Sequence, residues 1–214
     1  MTGERLRAAV AGEVLAGAEA GVGLLQSIVD VARAIFAAKA ASIALVDEEA
    51  SELHFAAASG EGREAVLGLR FPLHQGLAGS VVMTGEPLIV DDLTRDPRFA
   101  RAIAEDSGYV PSAMMLAPLL HGEHTLGVLS VLDRGRTDRA TLQELELLVS
   151  FADQAALAVN LEGAAQRAAG LLEGAAGDDA GAIARLAGAV GALEGEQRDA
   201  AIRLVAALAD LLKR

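Results

Sequence analysis

The chain has 214 residues, of which 52% are hydrophobic and 22% charged, so it can bury one domain of about 150 residues together with an appendage. Its formal net charge of −12, from 30 acidic and 18 basic residues, disfavours contact with nucleic-acid phosphates. Apolar runs fall well short of the ~20 residues of a membrane span, and the lack of cysteine excludes disulfides, thiolate nucleophiles, zinc-thiolate sites and thioether-linked chromophores.

The first 38 residues are predicted to be helical. They contain no continuous apolar stretch of a secretory signal's length, so we expect a cytoplasmic protein that has no membrane segment. Gly21 and Gly23 are expected to break or bend this region. Apolar residues then recur at helical spacing, which predicts a helix packed on a sheet; they are Leu25, Ile28, Val29, Ala32, Ile35 and Phe36.

Strands are predicted from Ala41 onward. The apolar run 42–46 and the alternating run 52–56 flank a polar cluster at 47–51, which indicates a hairpin. A third strand ends in the segment 69–73, where Pro72 favours an edge or a strand end.

A short helix is predicted over 76–84. Gly85 would end it as a left-handed cap, with Pro87 just beyond, and residues 88–90 form the next strand. The two apolar runs 114–120 and 126–132 surround a polar turn and predict a second hairpin, whose strands are covered on both faces.

A long helix is predicted over 137–166, with Thr137 or Asp138 as its N-cap. The order of elements describes an α+β sandwich, in which helices and loops flank a sheet. Two amphipathic helices are predicted after Gly177; each is too short to be stable alone and must pack against another helix or chain.

Three stretches of the chain resemble GAF domains. They are FPLHQGLAGSVVMTGEPLIVDDLTRDPRF at Phe71 to Phe99, MMLAPLLHGEHTLGVLSVLDR at Met114 to Arg134, and LELLVSFADQAALAVNLEG at Leu145 to Gly163. The resemblance covers residues 24–163, between an N-terminal helical extension (1–23) and a C-terminal helical segment (164–214). It implies an antiparallel sheet of about six strands, with a ligand cavity between one sheet face and the segment Gly76 to Tyr109.

The resemblance also implies which residues bind a ligand. Tyr109 and Ser112 are expected to supply hydroxyl groups, and Asp92 either contacts the ligand or binds the backbone amides of the next loop. The full predicted set is Phe71, Leu77, Val81, Val90, Asp92, Phe99, Tyr109, Ser112 and Met114.

Several cofactors of this family are excluded or disfavoured. Bilin-attaching members need a cysteine, and the similar free-methionine sulfoxide reductases use several. Cyclic-nucleotide members carry Asn-Lys where this chain has Asp133-Arg134. Haem would need an axial ligand, for which His54 and His74 are the candidates, although solvated or capping histidines are favoured. His121 and His124 lie at a hairpin tip without a third metal ligand, so we expect them to be exposed turn residues.

A cluster of three arginines, Arg95, Arg98 and Arg101, alternates with Asp96 and Glu105. Such a mixture is typical of a solvated surface that pairs with itself, so we expect no contact with nucleic acid.

Two functions remain. The first is a small-molecule sensor that signals to an unidentified partner protein through helices paired in a homodimer. The alternative is a dimerisation or interaction scaffold whose pocket is filled by its own side chains. No nucleophile is accompanied by an evident base, so an enzyme is not expected.

Overall fold

Six antiparallel strands form one sheet within the residues that this computed structural model describes, 23–135 and 140–174, with side chains described for 23–135, 140–161 and 163. The strands are β1 (Ala40–Asp47), β2 (Glu52–Gly60), β3 (Arg70–Pro72), β4 (Leu88–Val90), β5 (Met114–His121) and β6 (His124–Leu132). Their order across the sheet is β3-β2-β1-β6-β5-β4. The predicted α+β architecture, an antiparallel sheet flanked by helices, is confirmed.

The helices are α1 (23–35), α2 (Arg63–Val66), α3 (Gly76–Thr84), α4 (Arg101–Asp106) and α5 (Leu142–Gly174), with a 3₁₀ turn at Leu93–Arg95. Gly85 ends α3 in the left-handed conformation (φ 66°), as predicted. The predictions for residues 1–22 and for the helices after Gly177 lie outside the described residues.

The predicted start of the long helix was wrong. α5 begins at Leu142 because Thr141 and Glu144 form a capping box: the Glu144 amide donates to the Thr141 hydroxyl (3.2 Å), and the Thr141 amide donates to the Glu144 carboxylate (2.8 Å). A Thr-x-x-Glu pattern at 141–144 was available in the sequence and is a stronger N-terminal signal than Thr137.

The two faces of the sheet carry different partners because strand side chains alternate. Ala41 and Ile43 of β1 pack in one hydrophobic cluster with α1 and α5, together with Leu129 and Val131 of β6. The intervening side chains belong to the other face, which α3 covers. The α1 stripe packs on the sheet as predicted except at Ile35, which is 54% exposed.

Gly17–Glu162 form one compact unit, and the sheet and its covering helices belong to it. A second unit comprises Met1–Ala16 and Gly163–Arg214. Among the described residues, no helix has the length and apolar character needed to span a membrane.

Candidate functional site

A cavity of about 120 Å³ lies on the face of the sheet opposite α1 and α5. Its floor is formed by the central strands β1 and β6 with β2 and β5, and its roof by α3, α4 and the loops around them. Most of the lining is apolar, and its large apolar side chains include Phe55, Phe71, Leu77, Phe99, Met114 and Leu116. The cavity therefore lies where the resemblance implied it, between the sheet and the segment 76–109.

Two serines lie side by side on the floor. Ser42 of β1 and Ser130 of β6 are register partners, and each is only 8% exposed. Their neighbours in the same row are Ala58 of β2 and Leu116 of β5, so the hydroxyl groups are set in an apolar surface. Directly opposed side chains on one sheet face have Cβ atoms about 5 Å apart, which lets one ligand atom contact both.

The structure brings five of the nine predicted ligand-binding residues to the cavity. Phe71 comes from the edge strand β3, Leu77 from the first turn of α3, and Met114 from the start of β5. Phe99 and Tyr109 flank α4 and complete the roof.

The other four predicted residues do not line the cavity. Val81 is buried in the cluster between α3 and the sheet, and Val90 packs at the margin of that cluster on the edge strand β4. Asp92 is exposed and caps the 3₁₀ turn by accepting from the Thr94 amide (3.1 Å), which was the alternative role predicted for it. Ser112 is also exposed, and its hydroxyl donates to Asp133 (2.6 Å).

Asp133 lies outside the cavity lining and binds the cavity residue Tyr109. Its carboxylate accepts hydrogen bonds from the Tyr109 hydroxyl (2.5 Å), from the amide and hydroxyl of Ser112 (2.9 and 2.6 Å) and from the Ala113 amide (2.9 Å). Burial opposes ionisation of this carboxyl, but these four donors hold its pKa below the ordinary value. The pKa of Tyr109 is raised, first by burial and then by the bond to Asp133. The Tyr109 hydroxyl is thus engaged within the protein.

The charged lining of the cavity is confined to one residue among those described, the exposed Glu61. Ser59, which also borders the cavity, directs its hydroxyl to α1: it donates to Asp30 (2.5 Å) and accepts from the Arg33 guanidinium (2.9 Å). The hydrogen bond from Ser59 is the main reason that the pKa of Asp30 is lowered.

The segment that follows β6 contacts the beginning of α5 through an ion pair. Arg134 follows Asp133 and forms an ion pair with Glu144 (3.0 Å), and the Arg134 side chain is only 7% exposed. Glu144 also belongs to the capping box of α5. The residues that follow β6 thus contact the first turn of α5.

The three arginines of the predicted surface cluster pair with nearby acids. Arg95 contacts Asp92 (3.0 Å), Arg98 contacts Asp96 (2.7 Å) and Arg101 contacts Glu105 (2.8 Å). The predicted self-paired surface is confirmed.

None of the four histidines lines the cavity described above. His54 lies on β2, and burial together with the charge of Arg70 lowers its pKa. His121 and His124 are partners at the end of the β5–β6 hairpin. Among the described residues, no group of three or more histidines and carboxylates is arranged to hold a metal ion.

Ser42 and Ser130 were not among the predicted ligand-binding residues, because the ligand's hydroxyl partners were expected in the loop segment, at Tyr109 and Ser112. A signal for them existed: Ser42 and Ser130 are the polar residues within otherwise apolar strand runs, AASIALV and GVLSVL. In a strand covered on both faces, such a residue must be buried. The sequence alone does not show that both side chains face the same side of the sheet, because this depends on the register of β1 against β6.

Comparison with known proteins agrees with this architecture. The chain resembles the second GAF domain of DevS from Mycobacterium smegmatis (21% identity, 69% of this chain and 98% of that one, TM-score 0.56). It also resembles the GAF domain of a phosphoenolpyruvate-protein phosphotransferase from Coxiella burnetii (18%, 76% and 98%, TM-score 0.62). A third relative in fold is a free methionine-R-sulfoxide reductase from Neisseria meningitidis, solved with its substrate (20%, 74% and 87%, TM-score 0.53).

The likeness to these solved structures shows a shared fold, and the match of a family model to the sequence shows the family. The family model described as GAF domain matches residues 22–159, which is nearly the range of the sequence resemblance, 24–163. Domains of this family are generally sensing and signalling modules. The chain belongs to the GAF domain family.

Proposed function

We propose that this chain is a non-catalytic sensor, in which residues 24–163 bind a small molecule in the cavity and α1 and α5 transmit its presence through a homodimer to a signalling partner. The observation that carries the proposal is the cavity itself: it is bounded by central strands, mostly apolar, and provided with a few placed polar groups, the composition typical of ligand sites.

The scaffold alternative requires that the protein's own side chains fill this space. An open volume of about 120 Å³ favours the sensor, because protein interiors rarely contain voids much larger than a water molecule. Enzymatic function is not proposed. The cavity lining contains neither histidine nor lysine among the described residues, so its serines lack a base, and the chain has no cysteine for thiol chemistry.

The proposed route of transmission runs along β6 and the residues that follow it. Ser130 on the cavity floor, Asp133, which binds the cavity residue Tyr109, and Arg134 at the contact with α5 belong to one short stretch of chain. A ligand that binds one position of β6 better than another therefore shifts the start of α5 as well.

Native mass spectrometry of the protein purified from cell lysate, compared with its denatured mass, tests both parts. We expect twice the chain mass together with extra mass that is lost on denaturation. A ligand-free dimer that also binds nothing from a fractionated metabolite extract would favour the scaffold, and a monomer at micromolar concentration would contradict transmission through a dimer.

A further inference from the structure

The hydroxyl groups of Ser42 and Ser130 have no hydrogen-bond partner within the part of the chain that the structure describes. The neighbouring polar groups do have partners: Ser59 is bound by α1, and Tyr109 is bound by Asp133. Among the described side chains, the one fully buried polar atom without a partner is Nδ1 of His54. Neither serine oxygen is among the fully buried atoms without a partner, so both hydroxyls retain access to the cavity, although each residue is only 8% exposed.

This pair of hydroxyls is suited to a single oxygen atom. Each serine can donate one hydrogen bond, and a carbonyl or hydroxyl oxygen has two lone pairs to accept them. Register pairing places the two donors on adjacent strands of a rigid, central part of the sheet. A ligand oxygen between them would satisfy both hydroxyls at once.

The size of the cavity limits the rest of the ligand. A volume of about 120 Å³ is close to the ~150 Å³ of an engineered apolar cavity that binds benzene, and it is below the ~300 Å³ at which sites for drug-sized ligands begin. A body of about the size of one six-membered ring fits, whereas haem, a linear tetrapyrrole or a cyclic nucleotide does not.

The charge of the lining limits the ligand further. No lysine or arginine is among the described residues that line the cavity, so a carboxylate or phosphate would be buried without a counter-charge, which is costly. Glu61 is exposed at the surface and is not part of the floor, where the unpartnered donors lie. The floor thus favours a neutral ligand.

We propose that the cavity binds a small neutral molecule with an apolar body about as large as a benzene ring and one oxygen-bearing head, hydroxyl or carbonyl, that hydrogen-bonds to Ser42 and Ser130. This inference rests on the proposed function, in which the cavity is the ligand site. It adds the chemical class of the ligand and the two residues that select it.

Four probes of similar size test the oxygen-bearing head group and the neutrality of the ligand separately: phenol, benzene, benzoate and benzylamine. Benzylamine is charged at neutral pH. Titrations followed by NMR of the backbone amides give the affinity and localise binding to β1 and β6. We expect phenol to bind several-fold to about tenfold more tightly than benzene, which is the worth of one or two ordinary hydrogen bonds. Benzoate and benzylamine should bind more weakly than either.

The double variant Ser42→Ala and Ser130→Ala should bind phenol and benzene equally while keeping the affinity for benzene. Ser59→Ala is the matched control: it removes a hydroxyl beside the same cavity that is already bound by α1, and it should preserve the preference for phenol. Amide spectra that retain the wild-type pattern establish that each variant is folded.

Each of the following results would refute a named part of the proposal. Equal binding of phenol and benzene by the wild type, or a preference for phenol that survives the double substitution, would refute the serine head group and leave the cavity as a ligand site. Tighter binding of benzoate or benzylamine would refute neutrality. If no probe binds but native mass spectrometry finds a larger molecule, the size class is wrong and the proposed function stands. If no probe binds and no molecule is retained, both proposals fail.

Discussion

Asp133 is the residue on which the hydrogen bonds from Tyr109, Ser112 and Ala113 converge. It adopts a left-handed conformation (φ 47°), which asparagine tolerates about as well as aspartate, so Asp133→Asn changes the charge with little effect on the backbone. The variant should lower the free energy of unfolding by about 1–3 kcal/mol at neutral pH, because an amide accepts these bonds less well than a carboxylate and directs an NH₂ group at donors. Urea denaturation measures the difference.

The same substitution has a pH dependence of defined sign. Because the pKa of Asp133 is held below its ordinary value, its ionised form stabilises the folded state above the unfolded pKa of about 3.9, and this contribution is lost as the pH falls through the lower, folded pKa. The gap between wild type and variant should therefore close in acid. Asp153→Asn, at an exposed position of α5, is the control for removal of one carboxylate charge and should change the free energy of unfolding little at neutral pH.

Tyr109 is the sole tyrosine of the chain, so near-ultraviolet absorbance reports its ionisation alone. Burial and the contact with Asp133 raise its pKa, and a raised pKa means that stability is complete below the unfolded value of about 10 and is lost as the pH rises above it. We expect tyrosinate to form only well above pH 10 or on unfolding, and to form at lower pH in Asp133→Asn. An ordinary titration in the folded wild type would mean that the hydroxyl faces solvent.

At this scale the sequence predicted the apolar lining better than the polar groups. Large apolar residues around a glycine-rich helix are buried under almost any packing, so Phe71, Leu77 and Phe99 were placed correctly. The direction of a hydroxyl depends on neighbours that are distant in the chain. Ser112 turns to Asp133, 21 residues away, and Ser42 meets Ser130 only through the sheet register.

Among the secondary-structure elements, α3 depends on a close approach to the chain that precedes it. A Cβ atom at Gly79 would lie 2.5 Å from the Leu73 carbonyl oxygen and 2.6 Å from the His74 carbonyl carbon, which are backbone atoms that cannot rotate away. Gly79→Ala should displace α3 from the cavity roof and lower the free energy of unfolding by about 1–3 kcal/mol, as overpacking does. Calorimetry or urea denaturation measures this cost.

Gly23→Ala is the matched control, because among the described residues no atom outside its own helix backbone and chain neighbours lies within 4 Å of its added Cβ, and Gly23 is also helical. It should leave stability unchanged or raise it by less than about 1 kcal/mol. Equal stability of the Gly79 variant and wild type would show that α3 is held more loosely than its contacts indicate.

The sequence predicted the elements well where local chemistry decides them. Gly85 and Pro87 fixed the end of α3, and the polar tetrapeptide 121–124 fixed the β5–β6 hairpin. The start of α5 was missed because periodicity extends through a loop as readily as through a helix, whereas the reciprocal bonds of Thr141 and Glu144 define a single start.

At the scale of the whole molecule, the outer surfaces of α1 and α5 are unusually apolar. Leu24, Val31 and Ile35 of α1 and Leu147, Leu157 and Leu161 of α5 are each 41–59% exposed. Such residues favour the predicted homodimer, in which helices from two copies pack together. This surface lies on the face of the sheet away from the cavity.

Leu157→Glu should therefore raise the dimer dissociation constant by about tenfold or more, because it removes a leucine contact from each copy and buries a charge. Sedimentation velocity over a range of concentrations measures this constant. Met83→Glu is the control, since Met83 is 70% exposed but belongs to α3 on the other side of the sheet. Unaltered sedimentation of a folded Leu157→Glu variant would place the interface elsewhere.

The alternation of side chains along β1 and β6 also has a consequence for how such a protein changes over generations. Ser42 and Ser130 face the cavity, while their chain neighbours Ile43, Leu129 and Val131 face the helices. If these serines select the ligand as proposed, a substitution at either one would alter which molecule is recognised without disturbing the packing on the helices. On that proposal, ligand preference and output are encoded in the same two strands but in interleaved positions, so a lineage could exchange one stimulus for another while its signalling apparatus is inherited intact.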